Sequence, residues 1–115
     1  EITSTGPTYV AALEGGEITE FEVMPDQAGI ATVTLADLRG GTVAENAAAL
    51  TALLDGAPGP YRDVVLFNAA AALMIAGKAA DLADGAEMAA RSIDDNHAAK
   101  KLAQLVEITN RAVPG

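Results

Sequence analysis

The chain has no cysteine, which excludes a disulfide framework, a thiol nucleophile and any zinc site built on thiolates. Aromatic residues are almost as scarce: Tyr9, Phe21, Tyr61 and Phe67 are all there are. With alanine abundant, that favours close-packed helices over a sandwich or barrel filled by bulky side chains. The longest apolar stretch, Val64 to Ala76, is interrupted only by Asn68 and falls short of the ~20 residues a bilayer span requires. Neither a membrane partner nor a signal peptide is therefore expected, and the cysteine-free composition fits a reducing, cytoplasmic setting. Basic residues are missing from Glu1 to Leu38, where seven acidic residues lie. The net charge of −9 argues against nucleic acid, whose phosphates demand clustered Lys and Arg. A solvated strand face explains the acidic half better than a cation-binding surface.

What remains suffices for one domain at most. The chain has 115 residues, half of them hydrophobic, so a core can form without covalent or metal staples. It opens on Glu1 rather than Met, which points to processing or truncation.

Thr8 to Glu14 alternates, with Tyr9, Ala11 and Leu13 on one face, and Glu17 to Met24 alternates again, with Thr19, Phe21 and Val23 opposite Glu20 and Glu22. Gly15-Gly16 supplies a two-residue turn that accepts positive φ at both positions, so a half-buried β-hairpin is predicted, ended by Pro25. Asp26 to Leu35 shows no period and reads as loop, and Ala36 to Arg39 as a helical turn. Thr42 and Glu45 have capping-box spacing for a helix with Val43, Ala47, Leu50 and Leu54 on one stripe, stopping at Asp55-Gly56.

Pro60 suits the first position of a second helix, apolar all round from Tyr61 to Ala76 and hence expected to be buried, with Gly77 at its end. A third helix, Asp81 to Asp94, carries Leu82, Ala86, Ala89 and Ile93 in step. Asn96 is placed to cap a fourth, on which Ala98, Leu102, Leu105 and Ala112 repeat. The fold class expected is thus an α/β fragment: an antiparallel hairpin within 1–24, then about four α-helices within 36–113. Two strands are marginal alone, and the hairpin edges call for strands from further chain or another subunit.

No complete active site follows from these residues. His97 is the only histidine and sits where a helix begins. No Walker or G-x-G-x-x-G phosphate loop, nucleophile elbow or H-E-x-x-H motif occurs, and Gly15-Gly16 and Gly40-Gly41 read as turns. Asn68, inside the apolar helix, reads as a buried amide bonded to a nearby carbonyl. Asp94-Asp95 reads as a solvated helix end, and Arg62 and Asp63 as structural, with Asp63 at the positive end of the helix dipole.

The segments Glu1-Ile2-Thr3-Ser4-Thr5-Gly6-Pro7-Thr8, Leu38-Arg39-Gly40-Gly41, Ala44-Glu45-Asn46-Ala47 and Arg62-Asp63-Val64-Val65-Leu66-Phe67-Asn68-Ala69-Ala70-Ala71-Ala72-Leu73 together resemble the C-terminal part of the anthranilate phosphoribosyltransferases. The resemblance covers essentially all of residues 1–115, in order and spacing. It implies part of a larger α/β phosphoribosyltransferase domain, usually dimeric, that joins anthranilate to the ribose of phosphoribosyl pyrophosphate in tryptophan biosynthesis and releases pyrophosphate held by Mg2+. Carried over by position, the family's Asp-Glu metal motif ends at Glu1, the one site residue assigned here. The family's Gly-rich diphosphate loop, its Asn- and Ser-containing loop and its anthranilate-binding arginine precede this segment, so no catalytic or substrate-binding residue is assigned. Thr3, Ser4 and Thr5 are expected to bond nearby backbone or water.

By itself the segment is expected to be inactive and to bind no Mg2+ tightly. The alternative is a non-catalytic relative or association module working through the exposed hairpin edge.

Overall fold

Residues 1–113 are described by the computed structural model. Strands β1 (Thr8–Glu14) and β2 (Glu17–Val23) form an antiparallel hairpin, with Thr8 opposite Val23 and Glu14 opposite Glu17. Its turn works as the sequence requires, since Gly15 and Gly16 have φ of 58° and 83°, both left-handed. Four helices follow: α1 (Val43–Leu54), α2 (Pro60–Ile75), α3 (Leu82–Asp94) and α4 (His97–Thr109). The expected hairpin-then-helices order holds.

Between hairpin and α1 the chain is less irregular than its sequence suggests. Pro25–Ala28 and Leu35–Leu38 are short 3-10 turns, the first inside the stretch expected to be loop and the second one residue earlier than expected. Each is closed by a side chain reaching back to the backbone. Gln27 Oε1 accepts from Met24 N at 2.7 Å, and Asp37 Oδ2 from Thr34 N at 2.8 Å. A hydrophobic period cannot register such local bonds.

The core lies where α2 crosses α3. Phe67 and Ala70 are fully buried, and Leu66, Ala86, Ala89 and Ile93 join them, with Val23, Ala28, Ile30 and Leu53 closing the sides. The crossing is tight because α3 carries Gly85 at the contact, where a Cβ would come within 2.7 Å of the Ala70 Cα. The stripe expected on α3 is the one it buries. Arg62 at the start of α2 and Asp94 at the end of α3 add an ion pair across the same interface, with Nη2 3.0 Å from Oδ2 and Nη1 2.9 Å from Oδ1. Only the Nη2 contact has hydrogen-bond alignment. Asp94 is therefore not merely solvated.

Other faces depart from expectation in one direction: less is covered. Tyr9 and Leu13, which share one face of β1, are 77% and 72% exposed, while Val10 on the other face packs against the core and Ala12 is half-buried. Both sets are apolar, so alternation alone could not choose between them. On α1 the predicted stripe stands open except at Leu54, which is half-buried against the core; Val43 is 88% exposed, and the residue fully buried is Leu53, off that stripe. The apolar α2 is buried through its middle but exposed at Met74 and Ile75. The stripe of α4 is at most half-buried, and Ala112 lies beyond the helix end at Thr109. Asn96 does not cap α4 with its side chain. It takes the left-handed conformation, φ 62°, in the turn after α3, a geometry Asn tolerates better than most residues.

The accessible surface is 7901 Å², against ~5,800 Å² for a compact monomer of this mass. The radius of gyration is 16.2 Å, against ~13 Å for this length. The fold is open, and its uncovered surface is concentrated on the hairpin, α1 and α4.

Candidate functional site

A cleft of about 370 Å³ runs between the first residues of the chain and the start of α1. Glu1, Asp37, Leu38, Arg39, Gly40, Asn46, Ala49, Tyr61 and Val64 line it. It brings together all four of the segments singled out in the sequence: the opening Glu-Ile-Thr-Ser-Thr, the Leu-Arg-Gly-Gly loop, the Ala-Glu-Asn-Ala stretch of α1 and the helix beginning at Pro60. Their side chains are separated by up to 63 positions in the chain, from Glu1 to Val64, and only the fold makes them neighbours.

Asparagines hold two walls of this cleft. On one side, Asn68 Oδ1 accepts from Ile2 N at 2.9 Å while its Nδ2 donates to Ile2 O at 2.8 Å and to Val64 O at 2.9 Å. A residue whose N–H and C=O both meet one carboxamide is extended, as in a strand pair. The Ile2 side chain packs against the core, which sends its neighbour Glu1 the other way, to the exposed rim of the cleft. On the other side, Asn46 Oδ1 accepts from Gly41 N at 2.8 Å and its Nδ2 donates to Gly41 O at 3.1 Å. Gly40 and Gly41 keep ordinary negative φ, so they are not turn-forming residues of the kind expected. Asn46 and Glu45 fold back on them: a Cβ at Gly40 would lie 3.0 Å from Asn46 Oδ1, and one at Gly41 would displace the end of the flexible Glu45 side chain.

Behind Glu1 the backbone is bracketed further. Thr3 N donates to Thr8 Oγ1 at 3.1 Å, Thr5 N to Thr3 Oγ1 at 3.1 Å, and Val33 N to Ser4 O at 3.0 Å. The expectation that these hydroxyls serve nearby backbone holds for Thr3. Ser4 is completely buried and its Oγ has no hydrogen-bond partner among the described residues.

Charge in the cleft is spoken for unevenly. Asp37 accepts from Thr34 Oγ1 at 2.7 Å as well as from its N–H, and the hydroxyl bond first, then the amide, holds its carboxyl below the ordinary value of 3.8. It is a structural carboxylate. Glu45, just outside, is likewise held below 4.5, mainly by the Thr42 N–H and then by the Thr42 hydroxyl, as the capping box requires. The Glu1 carboxylate makes no hydrogen bond or ion pair among the described residues. His97 is far along the chain at the first turn of α4 and lines neither this cleft nor the groove along the hairpin.

The donor set can be tested against Mg2+, the ion the resemblance implies. No cluster of three or more His, Asp or Glu side chains occurs among the described residues, so no all-protein cage is present. Mg2+ keeps several waters and takes one or two carboxylates when phosphates supply the rest. One exposed, otherwise unengaged carboxylate on a rigid bracket at a cleft rim fits that role.

The cleft is thus flanked by Asn-clasped backbone, with one exposed carboxylate at its rim, on a hairpin-plus-helices frame. The model of the glycosyl transferase family, a/b domain, matches residues 1–99, and the chain belongs to that family. Anthranilate phosphoribosyltransferase of Methylocella silvestris is 56% identical over 112 residues, 97% of this chain and 32% of that protein. The enzyme of the same name from Parvibaculum lavamentivorans is 53% identical over 110 residues, covering 96% and 32%, and that from Azospirillum brasilense 54% over 113, covering 98% and 32%. The resemblance read from the motifs is thereby borne out. The chain spans about one third of the length of the curated relatives it matches.

Proposed function

We propose that this chain is part of an anthranilate phosphoribosyltransferase, contributing one wall of the pyrophosphate end of its active site. In that reaction the anthranilate amine nitrogen forms a bond to the ribose carbon of phosphoribosyl pyrophosphate. The bond from that carbon to the pyrophosphate oxygen breaks, and the nitrogen gives up a proton. Bound Mg2+ would neutralise charge on the departing pyrophosphate, and Glu1 is the residue here that would hold it. The other residues of the cleft position and enclose. Asn68 and Asn46 fix the two flanking backbones, and Asp37, through Thr34, fixes the turn leading to Arg39. Residues 1–24 and 36–113 serve as parts of one catalytic domain, in a cytoplasmic enzyme of tryptophan biosynthesis that works as a homodimer.

The observation that carries this reading is the placement of Glu1. Its carboxylate is exposed at the cleft rim while the residue beside it is clasped on both backbone groups. The uncovered surface supports it as well, since a segment one third as long as its relatives leaves faces for the remainder to cover.

The test is transfer activity in a polypeptide of the relatives' full length that contains this segment. Anthranilate and phosphoribosyl pyrophosphate should be consumed together with Mg2+ present, and the isolated segment should be inactive. A folded full-length protein that forms no phosphoribosyl product under these conditions would refute the assignment.

A second reading rests on the hairpin, where Tyr9, Leu13 and Ile18 stand exposed on one face. As an association module the segment would form a defined oligomer by itself. Light scattering showing a stable, discrete assembly of the segment would favour it.

A further inference from the structure

We infer that Asn68 is a positioning residue for the Glu1 carboxylate, so that helix α2 sets the geometry of the metal-holding end of the cleft. This rests on the assignment of Glu1 above and gives Asn68 a role that the resemblance does not assign to it.

The argument starts from how little else could fix Glu1. Its side chain is exposed and engages no partner among the described residues, so its direction depends on the backbone that carries it. That backbone is fixed one residue away by three hydrogen bonds converging on a single carboxamide. Two run to the N–H and C=O of Ile2, and the third, from Asn68 Nδ2 to Val64 O, locks the Asn68 rotamer against its own helix. Asn68 lies 66 positions from Ile2, so the clasp transmits the position of a core helix to a segment outside any strand or helix. The neighbours of Asn68 make that helix a firm anchor: Phe67 is wholly buried, and Ala70 abuts Gly85 of α3.

Aspartate is nearly the same shape but would aim a carboxylate oxygen at the Ile2 and Val64 carbonyls. Alanine would leave the Ile2 amide and carbonyl without their partner. Asparagine is the residue that offers one acceptor and two donors in this geometry. A ligand displaced by about 1 Å loses much of its effect at a charge-stabilising site, which is how a residue outside the site controls it.

The experiment uses the full-length polypeptide with four variants: Glu1→Gln, Asn68→Ala, the double variant, and Asp94→Asn as a destabilised control whose change lies outside the cleft. Two quantities are read. One is the Mg2+ concentration for half-maximal transfer, and the other is Mn2+ binding in the presence of inorganic pyrophosphate, followed by electron paramagnetic resonance without turnover. Glu1→Gln should raise the Mg2+ requirement tenfold or more, and Asn68→Ala three- to tenfold. The double variant should match Glu1→Gln alone, and Asp94→Asn should leave both readouts unchanged. Mn2+ binding should weaken in the same order.

If Glu1→Gln changes neither readout, the assignment of Glu1 itself fails. If Glu1→Gln weakens metal binding but Asn68→Ala does not, or if the two effects add fully in the double variant, the positioning role is wrong while the assignment survives. Should Asn68→Ala fail to fold, Asn68→Asp, which keeps the acceptor toward Ile2 N, replaces it with the same expected order.

Discussion

Asn68 and Ile2 are paired like facing residues of a strand ladder, although one belongs to a helix and the other to no regular element. A single side chain supplies both halves of the ladder rung. This ties the opening segment to α2 at a distance in sequence no local interaction could span, and it makes the clasp a stability element as well as a geometric one.

Replacing Asn68 by alanine should therefore cost about 1–3 kcal/mol, since each hydrogen bond is worth ~0.5–1.5 kcal/mol net and the half-buried Ile2 groups lose their partner. Urea denaturation measures this, and amide exchange at Ile2 should speed up in the variant well before the α2 amides do. A loss below about 0.5 kcal/mol would mean that water replaces the clasp at no cost.

Gly85→Ala probes the α2–α3 crossing. In an exposed helix this change stabilises by up to ~1 kcal/mol. Here the added carbon would lie 2.7 Å from Ala70 Cα and 2.9 Å from Ala70 Cβ and O, so helix backbones rather than a flexible side chain must give way. Overpacking of this kind costs ~1–3 kcal/mol, and a net loss is expected in thermal denaturation. A gain would show that the helices separate freely.

The Arg62–Asp94 pair joins the same two helices at their ends. Asp94 is 55% exposed, while Arg62 is 13% exposed, so the contribution should lie near the upper end of surface pairs, ~1 kcal/mol for Asp94→Asn. Raising salt should shrink the difference between wild type and variant, because the carboxylate side is open to screening. A difference that salt leaves unchanged would assign the effect to packing.

Acid should loosen the start of α1 first. Glu45 titrates below its ordinary 4.5 because the Thr42 N–H and hydroxyl favour its charged form. A depressed folded value means that the stabilisation is fully present above pH 4.5 and is lost as pH falls through the lower, folded value. The Val43 to Asn46 amides, followed by NMR, should report fraying in that window. Glu45→Gln keeps an acceptor for Thr42 but cannot titrate, so its α1 amides should show no such step.

Much of the fold can be read from the residues. The Gly15-Gly16 pair, the Thr42–Glu45 box, Pro60 and the α3 stripe locate the hairpin and the first three helices to within a few residues, because turn chemistry, capping and period act over a handful of neighbours. The nature of the cleft is less visible. Glu1, Arg39, Gly40 and Asn68 all stand in segments that the motif resemblance marks, yet nothing in the spacing shows that Glu1 and Asn68 belong together. The reading of Asn68 as an amide bonded to a nearby carbonyl names the right chemistry, with Val64 as that carbonyl, although the residue is half-buried rather than buried. The partner that matters, Ile2, is absent from any local pattern.

Outside α3 and the middle of α2, exposure was decided by tertiary structure. Alternation marks both faces of β1 as apolar, and only the packing of Val10 selects which one turns inward. Periodicity marks stripes on α1 and α4 that this chain leaves largely open, since amphipathicity records that a face is to be covered but not by what. The opening Glu1 follows the same division: the sequence by itself determined that a carboxylate, a group with hard oxygens, stands at this position. The tertiary structure decided that it faces a cleft, because a carboxamide on a buried helix clasps its neighbour's backbone and leaves its own side chain free.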